Sequence, residues 1–199
     1  MNLNLNIINK YFIPQNILDI GANIGDFNLY VQHFFPNAYV YSIEGNKTCE
    51  NYLKNRNINY KICLLGSKKH TAIFYKNKLE PTSTGNSLYR ELTPHFCDEN
   101  LIEEFAEIET LDDVLINTNK TFDLIKIDTQ GSEIDILKGG LNTLSKAKAV
   151  LLEVSYKPYN LNAPLEPDVI SFMKKYGFEP AEVLDEDFNT GQRDLLFIK

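Results

Sequence analysis

Short apolar runs alternate with longer amphipathic segments along this chain, the pattern of strands separated by helices. Ile17-Leu18-Asp19-Ile20 has three apolar residues in four, enough for a buried parallel strand and too short for a helix. It breaks at Gly21, Gly25 follows, and residues 27–35 read as a helix stopped by Pro36. Tyr39-Val40-Tyr41-Ser42-Ile43 is a second strand that delivers Glu44, 23 residues after Gly21. Downstream, residues 47–56 read as a helix, residues 60–65 as a third strand ending at Gly66, and residues 122–128 as a fourth ending in Asp128. Ser132 opens a helix predicted to run to Ser145, residues 149–155 form a fifth strand carrying Glu153, and Gly177 stops a helix over 167–176. Asp194-Leu195-Leu196-Phe197-Ile198 closes the chain as a strand. Residues 1–14 predict a short amphipathic N-terminal helix ending at Pro14, leaning over the sheet edge.

Between the third and fourth strands the alternation changes. Residues 71–75 are β-rich and are expected to pair with residues 105–108, making 70–108 an inserted strand-and-loop region. Its polar stretch Thr82-Ser83-Thr84-Gly85-Asn86-Ser87 fits a substrate lid and a solvated loop equally well. Thr110 with Asp113 approximates a capping box for the next helix. No linker or repeat divides the 199 residues, which read as one α/β domain.

A strand, a glycine turn and a helix N-terminus make a corner where backbone N–H groups face a ligand. A pyrophosphate loop would read G-x-G-x-x-G; here Asn23 replaces the second glycine of Gly21-Ala22-Asn23-Ile24-Gly25. Asp19 before the turn favours a cationic ligand, and S-adenosylmethionine carries an ammonium and a sulfonium but no phosphate. Glu44, an acid at the second strand's tip, suits ribose hydroxyls. Ligands of open parallel sheets bind beyond the strand tips, so Asp19, Glu44 and Asp128 are expected to face one crevice. Leu64, Leu65 and Gly66 are adenine-pocket candidates, with strand capping as the alternative; Phe27 opens the adjoining helix.

Net charge is −7 and the longest basic cluster is Lys68-Lys69-His70, which disfavours nucleic acid as a partner. Cysteines 49, 63 and 97 are odd in number and far apart, pointing to a reducing cytoplasm; three scattered histidines suggest no metal site. No stretch approaches the ~18 apolar residues of a membrane span, and no signal peptide is evident. A homodimer remains open.

The run Asp-Leu-Ile-Lys-Ile-Asp-Thr-Gln-Gly-Ser-Glu-Ile-Asp-Ile-Leu-Lys-Gly-Gly over 123–140, the opening at 19–27 and residues 151–160 resemble the FkbM-type family of S-adenosylmethionine-dependent methyltransferases. The family pattern I-K-I-D-x-[EQ]-G-x-E-x-x-x-L-K-G is satisfied from Ile125 to Gly139, with Gln130 where many members have Glu. The resemblance implies a class I methyltransferase: a Rossmann-like three-layer sandwich on a mostly parallel seven-stranded sheet with one antiparallel strand. It further implies O-methylation of a sugar, glycan or small metabolite. On this reading Gly21, Ala22, Asn23 and Gly25 meet the methionine end, Asp19 takes the ammonium directly or through water, and Glu44 takes the ribose. Asp128 is the first choice for base or nucleophile-orienting group, followed by Glu153 and His95. Two other readings compete: a nicotinamide-dependent oxidoreductase or epimerase, and a non-catalytic methyltransferase-like binding module. Asn23 and the lack of a Tyr-x-x-x-Lys dyad disfavour the first, and the intact acids disfavour the second.

Overall fold

A computed structural model describes residues 3–199. Ten strands and six α-helices follow in order: β1 (Asn16–Ile20), α1 (Asp26–Phe34), β2 (Tyr39–Glu44), α2 (Glu50–Asn55), β3 (Tyr60–Ile62), β4 (Leu64–Leu65), β5 (His70–Asn77), β6 (Leu101–Glu109), α3 (Leu111–Leu115), β7 (Leu124–Ile127), α4 (Glu133–Lys138), α5 (Leu141–Lys146), β8 (Ala149–Ser155), α6 (Glu166–Lys175), β9 (Glu179–Asp187) and β10 (Gln192–Ile198). Seven strands form one sheet in the order β3-β2-β1-β7-β8-β10-β9. β10 alone runs against the rest, pairing antiparallel with both β8 and β9, as the family resemblance implied.

Alternating positions along the strands feed two apolar layers, because successive side chains leave opposite faces. Leu18, Ile20, Ile125, Ile127, Val150 and Leu152 pack under α3 to α6 on one face. Ile17, Val40, Leu124, Ala149 and Leu151 pack on the other face with Phe27 and Val31 of α1. Leu5 and Ile8 join that second layer from a 3-10 helix, Leu5–Lys10, which lies within the predicted N-terminal helix but is shorter; Met1 and Asn2 of that prediction lie outside the described residues.

Three further boundaries differ from the sequence reading. The strand predicted over 60–65 divides at Cys63: its N–H completes the pairing with β2 through Glu44 O (2.9 Å), and Leu64–Leu65 then pairs parallel with β6. The helix predicted over 132–145 is two helices broken at Gly139–Gly140, since a Cβ on Gly139 would stand 2.1 Å from the Gly66 carbonyl oxygen. The helix predicted over 47–56 begins as a 3-10 turn, Lys47–Cys49, before α2. The inserted region folds as expected into a β5–β6 antiparallel pair with Ala72 opposite Ala106, and with β4 it makes a separate three-stranded sheet.

Candidate active site

Strand order reverses between β1 and β7, and the crevice opens at their C-terminal tips. About 950 Å³ of space, part of it open to solvent, is walled by residues 20–24 after β1, residues 44–46 after β2, residues 63–65, and Asp128 and Thr129 after β7. Ser83, Thr84, Asn86, Ser87 and Leu88 from the inserted region close the remaining side.

Gly21 lets the β1 turn approach β7. With φ +81° it occupies the left-handed region, and a Cβ there would lie 1.8 Å from the Asp128 carbonyl oxygen. Asn23 is also left-handed, at φ +49°, which turns its N–H onto Glu44 Oε2 at 2.6 Å. Asn46 N–H donates to the other oxygen, Oε1, at 2.6 Å. Burial pushes the Glu44 carboxyl up, and the Asn46 and Asn23 N–H groups counter that. Each carboxylate oxygen keeps a lone pair for a further donor.

Asp128 lines the crevice with both oxygens engaged. Lys126 Nζ donates to Oδ2 at 3.1 Å, and Gln130 Nε2 approaches Oδ1 at 3.4 Å. Lys126 is buried in β7, its Nζ 3.7 Å from Asp19 Oδ1 and 5.3 Å from the centre of the Phe27 ring. Burial opposes its charge, but Asp128 and Asp19 outweigh burial and hold the ammonium protonated well above its usual range.

The expectation that three acids face one crevice is therefore corrected to two. Asp19 pairs across the sheet with Lys126, so its fully buried carboxylate stands behind that lysine and outside the crevice wall. Ser42 Oγ donates to Asp19 Oδ2 at 3.3 Å, while Oδ1 lacks a hydrogen-bond partner. Ala22, Phe27, Leu64 and Leu65 line the space as candidates, but Gly25 and Gly66 do not. Gly25 meets Ile58 and Leu53 under α2, and Gly66 is pressed against Gly139.

Glu153 and His95 also stand outside the crevice wall. His95 is exposed in the 3-10 turn Pro94–Phe96, where its carbonyl accepts from Asn77 Nδ2. Glu153 lies behind Gln130: the Gln130 and Gln192 amides both donate to its Oε2, and burial followed by Asp128 and Asp194 holds its carboxyl well above the usual range. Lys126 is a site residue to which the sequence alone assigned no role. Its signal was a lysine between Ile125 and Ile127 in a strand buried on both faces, a charge that requires a partner. Among the described residues no group of three or more His, Cys, Asp or Glu is placed to hold a metal ion.

Sheet order and crevice together define a class I methyltransferase fold. Solved structures agree: the FkbM methyltransferase of Methylobacillus flagellatus KT superposes with TM-score 0.60 at 16% identity, covering 92% of this chain and 43% of that one. Magnesium protoporphyrin IX methyltransferase of Synechocystis PCC 6803, solved with bound S-adenosylmethionine, gives 0.52 at 13% identity over 97% of this chain and 74% of its own. The profile of the methyltransferase FkbM domain matches residues 19–180, and the chain belongs to that family of S-adenosylmethionine-dependent methyltransferases. The methyltransferase sdnD of Sordaria araneosa is 30% identical over 159 residues, 64% of this chain. The chain spans 61% of that relative's length, as it spans less than half of the Methylobacillus structure.

Proposed function

We propose that this chain transfers the methyl group of S-adenosylmethionine to a hydroxyl of a sugar, glycan or small metabolite. The observation that carries the reading is Asp128: a carboxylate at the β7 tip, inside the crevice, with Lys126 and Gln130 at its two oxygens. The residues present fit the cofactor. Gly21 lets the β1 turn close on the β7 tip beside the crevice, Glu44 offers free lone pairs to ribose hydroxyls, and Leu64, Leu65 and Phe74 offer an apolar slot to a flat base. Asp19, with an orphaned buried oxygen, stands behind Lys126 and offsets its charge, without direct contact with the crevice.

When bound, the cofactor supplies a methyl carbon already activated by a sulfonium. The chain's part is positioning and proton management. Asp128 Oδ would take the acceptor's hydroxyl proton, freeing that oxygen to receive the methyl group that the cofactor would supply. Lys126 and Gln130 keep Asp128 from rotating away. Asp128→Asn is expected to lower turnover about 10²–10⁴-fold, the usual span for a general base, with cofactor affinity largely retained. Labelled methyl transfer across a panel of hydroxylated sugars and metabolites, with calorimetry for cofactor binding, measures both. Near-normal turnover of this variant would remove Asp128 from the chemistry, and labelled product only from amines would move the reading to N-methylation.

A further inference from the structure

Residues 78–88, which close the crevice on its outer side, are attached differently at their two ends. At the β7 end Ser87 is buried; its N–H and carbonyl pair with Tyr75 at 3.1 and 2.8 Å. Its hydroxyl, with one proton to give, lies 2.8 Å from the Thr129 carbonyl and 2.9 Å from that of Gln130. The segment is also tied to the last residue of β5. Asn77 Oδ1 accepts the N–H groups of Leu79 and Glu80 at 2.8 and 3.0 Å. Asn86 accepts the Asn77 N–H at 2.7 Å and donates to the Pro81 carbonyl at 3.1 Å. At the β2 end the hold is two side-chain amides: Asn46 Nδ2 to Pro81 O at 2.7 Å and Asn23 Nδ2 to Thr82 O at 2.9 Å. These are the same two residues whose backbone N–H groups fix the Glu44 carboxylate.

We infer that Asn23 and Asn46 are positioning residues that latch residues 81–87 down as the outer wall of the cofactor site, so that the adenosine half enters and leaves by release of that latch. The inference rests on the reading of Glu44 and its crevice as the cofactor site. A strap held at its base on β5, by Asn77 and by the Ser87–Tyr75 pairing, hinges there, and the two amides are what its tip must break at the β2 end. Because release precedes both entry and exit, a weaker latch speeds exchange in both directions and shifts affinity little.

Asn46→Ser tests this. The serine hydroxyl still caps the Thr48 N–H, which Asn46 Oδ1 holds at 3.1 Å, but is too short to reach Pro81 O. Asn23→Gly is the second variant, since glycine accepts the left-handed backbone there. The probe is S-adenosylhomocysteine passed over immobilised protein by surface plasmon resonance. Association and dissociation are both expected to rise about fivefold in each variant, the worth of one ordinary hydrogen bond, with Kd changing less than about twofold. Hydrogen exchange of the free variants should rise over residues 82–86. Unchanged rates in both variants overturn the inference, and so does faster dissociation with unchanged association, which makes the asparagines ordinary contacts. Glu44→Ala separates the two failures: if it leaves affinity unchanged, the site reading itself falls. If it weakens binding while both latch variants exchange at wild-type rates, the latch alone is wrong.

Discussion

Lys126 shows how a single residue organises this site. An ammonium inside a central strand costs several kcal/mol unless it is paired, and here Asp128 at 3.1 Å and Asp19 at 3.7 Å supply the pairing from its own strand and the next. The pairing serves the carboxylates as much as the lysine, since Asp19 is fully buried. Lys126→Met keeps the volume and removes the charge, and it should destabilise the protein by about 3–5 kcal/mol at pH 7.5 in urea denaturation. Burial already pushes the Asp19 carboxyl up, so at pH 5 it can take a proton once the lysine is gone, and the loss should shrink there. An equal loss at both pH values would assign the effect to packing. At this scale the acids were legible and their partners were not. Glu44 and Asp128 could be placed because each ends an apolar run. Lys126, Gln130 and Asn46 each sit two residues from an acid they hold, but their other contacts, with Asp19, Glu153 and Pro81, come from other strands or loops, and no local spacing announces those.

Elements show the same division between what is local and what is not. Strands buried on both faces, such as Leu124–Ile127, and helices ended by Pro36 or Gly177 follow from sequence pattern alone. β9 left no such signal: among its nine residues only Leu184 is buried, and five are acidic, as suits an edge strand that must not recruit another chain. The break between α4 and α5 was hidden because it answers to Gly66, more than 70 residues away in sequence. Close approach also sets the β1–β7 junction, where Gly21 and Gly177 make a controlled pair. Both have φ +81°, but a Cβ on Gly21 meets the Asp128 carbonyl at 1.8 Å, whereas nothing lies within 4 Å of one on Gly177. Gly177→Ala should cost about 1–2 kcal/mol, the left-handed penalty alone. Gly21→Ala should cost that and roughly 2 kcal/mol more, because the tips of β1 and β7 must separate, and it should abolish binding of S-adenosylhomocysteine. Thermal denaturation and calorimetry of the two variants check this; equal losses would mean that the β1–β7 approach is not tight.

Across the whole molecule, the net charge of −7 does not show where the acids lie: Asp19 and Glu44 are buried at the strand tips, and Asp128, Glu153 and Asp194 are half-buried near them. Glu153 of β8 stands opposite Asp194 of β10, which in turn stands opposite Asp185 of β9. Burial, then the Asp128 charge, push the Asp194 carboxyl up to about 7, against the opposing pull of Lys126. In the unfolded chain the same group ionises near 3.8. Between these values the native state holds a proton that the unfolded state has released, so stability falls as pH rises from about 4 to about 7 and is flat above. Glu153 and Glu44, also raised by burial, act in the same direction. The lowered carboxyls at the surface, Asp113, Glu182 and Asp187, act in the opposite sense, and their stabilisation is lost as pH falls into the acid range. Asparagine imitates a protonated aspartate in shape and cannot ionise. Asp194→Asn should therefore flatten the decline between pH 5 and pH 8 and leave the variant about 2–3 kcal/mol more stable than the parent at pH 8, with near equality at pH 4. Urea denaturation at each pH reads this directly, and parallel curves for the two proteins would mean that Asp194 carries its charge in water, which would loosen the polar layer behind Asp128 from the sheet that is argued to hold it.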